Sequence, residues 1–149
     1  MRVFGSRAIG CLIAAGAAGC ATGGNDAAPA AALAPDCAAL ATLSFPATTI
    51  QRAVRIEQGT EGTTTVRMPA HCLVSGEIAP RTGSDGVRYS IGFELRIPLA
   101  WNGRFQFQGG GGVDGTIPPA FGTLRDGVVP ALSQGTAVVT SNMGHTGTS

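Results

Sequence analysis

The chain has 149 residues, which suits one domain, and 44% of them are hydrophobic against 13% charged, which excludes a charge-rich disordered chain. Its ten basic residues are all Arg and nine residues are acidic; Arg2 and Arg7 sit in the leading segment, so eight Arg face nine acids in the remainder. That balance lacks the basic footprint with which proteins engage nucleic-acid phosphates.

Residues 8–18 follow the positive start as an uncharged run of Ala, Gly, Ile, Leu and one Cys. The run is shorter than the about 20 apolar residues a membrane-spanning helix needs, and it fits the apolar core of a secretory signal. It ends in Ala17-Ala18-Gly19-Cys20, small residues before a Cys as at a bacterial lipoprotein cleavage site, with Ala17 where Leu is usual. Residues 1–19 therefore read as a signal peptide and Cys20 as a lipidated first residue; ordinary cleavage nearby, with plain secretion, is the alternative. Residues 20–36 hold Gly, Pro and Ala without aromatics or periodicity and read as a tether. The folded part is expected over 37–149.

This partition sorts the four cysteines. Cys11 lies in the signal and Cys20 is the lipidation candidate, which leaves Cys37 and Cys72. Disulfides persist in the oxidising compartments that exported proteins reach. A Cys37–Cys72 bridge is expected, worth roughly 4 kcal/mol on a chain-entropy account; two buried free thiols are the alternative.

Residues 37–43 can make a short helical turn, and the Thr- and Gly-rich residues 60–65 read as a loop running into an edge strand. Leu73, Val74 and Ile78 mark a strand over 73–79. Residues 81–86 (RTGSDG) are dense in turn formers, with Asp85-Gly86 as a hairpin signal. In 87–97, Val87, Tyr89, Ile91, Phe93, Leu95 and Ile97 alternate with Arg88, Ser90, Gly92, Glu94 and Arg96, which predicts a strand with one buried and one wet face. Residues 104–108 (RFQFQ) form a short strand before four glycines, 109–112. Apolar residues at 121, 124, 128 and 132 have helical spacing, interrupted by Gly122, Gly127 and Pro130, so one or two short helices are expected before Gly135. Residues 136–140 (TAVVT) read as a strand buried on both faces. Hairpin, strand, glycine loop, helix and buried strand together make the start of an α/β sheet with an antiparallel leading edge.

No Ser has Gly two residues away on both sides, the G-x-S-x-G elbow of a serine hydrolase. Ser141 follows the buried strand, but Val139 holds the place of the first Gly; Ser84 has Thr82 there. His71 and His145 lack partners at metal-ligand spacing, and structural roles are expected of both. Asp85, Glu94, Asp114 and Asp126 are scattered. The segment 108–112 has a mechanism available to it: in α/β-hydrolases the loop after the third strand donates a backbone N–H to the oxyanion hole, and glycine permits close approach and unusual dihedrals. A phosphate cradle fits less well, because there is no G-x-G-x-x-G pattern and the chain has no Lys. A plain glycine-rich turn is the structural alternative.

Met68-Pro69-Ala70-His71-Cys72-Leu73-Val74-Ser75-Gly76, then Arg96-Ile97-Pro98-Leu99-Ala100-Trp101-Asn102-Gly103-Arg104-Phe105, the glycine run and Gly144-His145-Thr146-Gly147 occur in order across residues 36–149. This ordered set resembles the tannase and feruloyl esterase family. Arg81-Thr82-Gly83-Ser84-Asp85-Gly86 is similar to its branch containing the mono-(2-hydroxyethyl) terephthalate hydrolases. The resemblance implies an α/β-hydrolase fold with a large inserted lid, a Ser-His-Asp triad and hydrolysis of aromatic carboxylic esters of feruloyl, galloyl or terephthalate type. It places the nucleophile in a Gly-Cys-Ser-x-Gly-Gly motif beyond Ser149, followed by the Asp, the His and a lid with a calcium site. No cofactor is therefore expected within this chain. Gly109 matches the first oxyanion donor, and the family pairs the cysteines matched here by Cys37 and Cys72.

The expectation is the N-terminal part of an exported serine ester hydrolase, in the periplasm, on the outer membrane or outside the cell. Its partner is a small aromatic ester, with membrane contact only through lipid at Cys20, and the 149-residue chain by itself is inactive. The rival reading is a non-catalytic exported β-rich lipoprotein or a truncated remnant.

Overall fold

A computed structural model describes residues 36–149 apart from 63, 64, 110–114, 124, 126 and 146–149. The signal peptide, Cys20, the tether up to residue 35, and most of the glycine run lie outside the described residues.

Asp36 caps α1, Cys37–Leu40, by accepting a hydrogen bond from the Ala38 N–H at 3.0 Å. Among the described residues five strands follow: β1 Thr48–Ile56, β2 His71–Thr82, β3 Arg88–Pro98, β4 Phe105–Phe107 and β5 Ala137–Ser141. They form one mixed sheet in the order β1-β2-β3-β5-β4. The pairs β1–β2, β2–β3 and β3–β5 are antiparallel, and β4–β5 is parallel. The expected hairpin is β2–β3, its turn closed by Gly83 N–H to Val87 O, with Gly86 at a left-handed φ of 79°. The Cys37–Cys72 disulfide joins α1 to β2.

Three elements differ from the sequence expectation. The edge strand expected after residues 60–65 is absent among the described residues, where only the isolated Gly59–Met68 bridge forms. β1 was not expected as a strand. Its register shifts between Ile50 and Arg52, so its side chains do not keep the period of two that marks a strand in sequence. Among the described residues, the expected helices over 121–132 reduce to one 3-10 turn, Leu132–Gln134. Gly122 and Gly127 take φ of 88° and 76°, which no right-handed helix accepts, and Pro130 supplies no N–H.

The burial of the long strand departs from the alternation reading at its C-terminal end, where Arg96 and Pro98 are buried while Ile91, Phe93, Leu95 and Ile97 are only partly covered. Arg96, on the polar side of β3, is 5% exposed, because Ala120, Phe121 and Leu132 lie over that side. There Met68, Ala120, Leu132 and Val138 form the core, with Phe121 packed against it. The opposite side carries Ile78, Ile91, Phe93 and Leu95 into an open apolar depression of about 550 Å³ that Phe105 and Phe107 border. Phe105 is 62% and Phe107 50% exposed. β5 matches its expectation as a buried strand, since Ala137, Val138, Thr140 and Ser141 are all buried.

Candidate active-site edge

The parallel pair β4–β5 gives the sheet one edge where two strands end side by side, and in open α/β sheets ligands bind outside such carboxyl ends. Gly109 sits at this edge. The Gln108 N–H donates to Val139 O at 2.8 Å, which carries the parallel pairing to the last residue before it. Gly109 is exposed. Its φ lies outside the left-handed region and nothing described approaches the position of a Cβ within 4 Å, so no backbone strain demands glycine here. What Gly109 offers is an open approach: among the described residues, no acceptor takes its N–H.

Gln108 holds the edge from beneath. Its side chain is buried. Its Oε1 accepts from Gly122 N–H at 2.6 Å and its Nε2 donates to Pro119 O at 3.1 Å. Gln106, two residues earlier on the same side of β4, donates from Nε2 to Gly122 O at 3.1 Å. Beside β4, Asn142 follows β5 and accepts through Oδ1 from Gly92 N–H at 2.9 Å and Gly144 N–H at 3.1 Å, which folds the chain back after the strand.

Ser141 is buried, and its Oγ accepts from Met143 N–H at 3.3 Å. Among the described residues neither histidine bonds to it. His145 donates its backbone N–H to Asn142 O at 3.2 Å, while His71 lies at the far end of β2, paired with Pro98. His71 is fully buried and serves the fold: its Nδ1 lies 2.8 Å from Pro69 O, so Nδ1 carries the proton and donates. Its Nε2 then accepts from Arg96 Nη1 at 3.0 Å. Burial is the main cause that holds the imidazole below its ordinary range, and the neighbouring Arg96 guanidinium adds to it.

Sequence reasoning missed the charge cluster around Arg96. Its Nη1 meets Glu61 Oε2 at 2.6 Å, its Nε meets Glu94 Oε1 at 2.7 Å, and its guanidinium lies 4.7 Å from the Phe121 ring centre. Glu94 Oε1 also accepts from Ala120 N–H at 3.0 Å. Glu94 and Arg96 alternate in sequence like a wet strand face, and Glu61 comes from a distant loop, so no spacing signalled the cluster. The guanidinium fills the space between the two carboxylates. Among the described residues, no group of three or more His, Cys, Asp or Glu could hold a metal ion.

A family model described as tannase and feruloyl esterase matches residues 72–149. The mono(2-hydroxyethyl) terephthalate hydrolase of Piscinibacter sakaiensis is 47% identical over 79 residues, which is 52% of this chain and 13% of that protein. An uncharacterized esterase of Agrobacterium fabrum is 38% identical over 78 residues, which is 50% of this chain and 14% of that protein. The chain therefore spans about one seventh of the length of the curated relatives it matches.

Proposed function

The chain belongs to the tannase and feruloyl esterase family, and on that premise we propose that it forms the N-terminal part of an exported serine hydrolase of aromatic carboxylic esters. The observation that carries the proposal is the family match over residues 72–149 together with the Gly109 N–H at the end of the β4–β5 pair, which has no acceptor among the described residues.

In this reading a serine further along the protein attacks the ester carbonyl. Its Oγ forms a bond to the carbonyl carbon while a histidine takes the hydroxyl proton, and the carbonyl electrons move to oxygen. The tetrahedral intermediate expels the alcohol, which leaves with the proton from histidine, and water then releases the acid from the acyl-enzyme. Gly109 N–H donates to the oxygen that bears the charge, where one donor contributes roughly 3–4 kcal/mol. The apolar depression beside β4, walled by Phe105 and Phe107, suits an aromatic acyl group or further polypeptide of the same protein. The Cys37–Cys72 bridge supports export into an oxidising compartment, and Cys20 is the proposed point of lipid attachment.

The test uses the full-length protein. Gly109→Pro removes the N–H and should lower kcat on methyl ferulate by about a hundredfold or more, with folding checked by circular dichroism. A fluorophosphonate probe should label one serine beyond residue 149 and leave the isolated 149-residue chain unlabelled. Labelling of Ser141, or an unaltered Gly109→Pro enzyme, would end this reading. Cys20→Ser should release the protein from membranes and abolish lipid labelling; unchanged fractionation would leave an ordinary signal.

A further inference from the structure

Side chains of Gln106 in β4 and of Gln108 just beyond it hold the segment around Pro119 and Gly122. Gln108 reaches Pro119 O with its Nε2 and Gly122 N–H with its Oε1, while Gln106 takes Gly122 O. Pro119 and Gly122 are thereby tied to the strand end that carries Gly109. A side-chain amide suits this place because it offers one donor and one acceptor at fixed separation, and both partners are backbone groups whose roles cannot exchange. Gly122 is a fixed point in turn: its φ is 88° and a Cβ there would lie 2.4 Å from Ala131 Cβ. On the far side, Glu94 holds Ala120 N–H and Phe121 O accepts from Leu132 N–H at 3.0 Å, so residues 119–122 are clasped between β3 and β4.

We propose that Gln108 is a positioning residue for ester hydrolysis, whose buried amide clamps Pro119 and Gly122 and so fixes the direction of the adjoining Gly109 N–H. The proposal rests on the oxyanion role assigned to Gly109 above. Geometric fixation matters because an oxyanion donor contributes through its preorganised aim, with no reorganisation left for the moment of reaction. Ground-state substrate binding makes little use of that aim, so the effect belongs on kcat and not on KM.

The experiment compares full-length wild type with Gln108→Leu and Gln108→Glu, measuring hydrolysis of methyl ferulate, affinity for an aryl trifluoromethyl ketone and thermal unfolding. The ketone accepts the serine to give an oxyanion adduct, so its affinity reports on the donor. Gln108→Leu removes both side-chain bonds and should lower kcat by at least about tenfold, up to the roughly hundredfold of a lost donor. KM should stay within about twofold, and ketone affinity should fall by the same factor as kcat/KM. In Gln108→Glu the protonated acid can replace the amide, donating to Pro119 O and accepting from Gly122 N–H, whereas the carboxylate repels that carbonyl. This variant should therefore regain kcat relative to wild type at the same pH as pH falls, through an ionisation absent from wild type. It carries the test if Gln108→Leu fails to fold. A lower unfolding temperature with kcat and ketone affinity unchanged would reduce Gln108 to a structural residue and overturn the proposal while the hydrolase reading stands. A wild-type protein that neither cleaves the ester nor binds the ketone would remove both.

Discussion

Arg96 Nη1 donates to His71 Nε2 at 3.0 Å, an arrangement open only to a neutral imidazole. The same Arg96 nitrogen also meets Glu61 Oε2, and Glu61 Oε1 lies 3.4 Å from His71 Nε2 without a hydrogen-bond partner among the described residues. Protonated His71 would give Glu61 that bond but would turn a proton toward Arg96. Burial and Arg96 outweigh Glu61, Glu94 and the Pro69 carbonyl, so the folded protein holds His71 neutral.

The first prediction follows from this sign. The folded-state value of His71 lies below the about 6.5 of an exposed histidine. Between the two values the unfolded chain binds more protons, so this group's contribution is full above about 6.5 and is lost as pH falls toward the folded value. Urea unfolding between pH 8 and 5 should show stability declining on the acid side. His71→Asn should be less stable at pH 8 yet show a flatter acid decline; an equal slope in both proteins would refute the assignment.

Arg96 should be hard to remove. Its replacement by Met leaves Glu61 and Glu94 facing each other in a largely buried site, and breaking one side of a buried ion pair costs on the order of 3 kcal/mol. The triple change Arg96→Met, Glu61→Gln, Glu94→Gln removes the stranded charges and should recover part of the loss. If the single and triple variants unfold at the same urea concentration, stranded carboxylates are not the cause.

The disulfide spans a sequence separation of 35 residues and ties α1 to the start of β2. Cys37→Ala should lower stability by roughly 4 kcal/mol on loop-closure entropy. Dithiothreitol should bring wild type to the variant's midpoint and leave the variant unmoved. Two alkylatable thiols at Cys37 and Cys72 in protein exported to the periplasm would contradict the bridge.

Two glycines should respond oppositely to alanine. Gly122→Ala meets both the positive φ and the Ala131 contact, and should cost at least about 1–2 kcal/mol. Gly109→Ala has neither problem and should leave unfolding unchanged, within about 0.5 kcal/mol. Comparable melting shifts in the two variants would mean that the loop is not held as described.

Local chemistry makes much of this protein legible in its sequence. The capped turn at Cys37, the Asp85-Gly86 hairpin, β3, β4 and β5 each announce themselves through neighbouring residues, because turn dihedrals and side-chain alternation are properties of short stretches. The ordered motifs from Met68 to Gly147 carry the family in the same way. β1 escapes because a register shift near Gln51 breaks its period.

What only the tertiary structure decided is which partners meet. β5 enters the sheet between β3 and β4, so these two strands, consecutive in sequence, are not neighbours, and the parallel edge beside Gly109 results from that insertion. Arg96 on the polar side of β3 is buried because Ala120, Phe121 and Leu132 return over it, and Glu61 arrives there to pair with it. Alternation records that a strand has two unlike faces; which face is covered depends on chain arriving from elsewhere. Gln108 shows the same division. Its place before the glycine run is written in the sequence, while its hold on Pro119 and Gly122 exists only because the loop folds back to bring two backbone groups within reach of one amide.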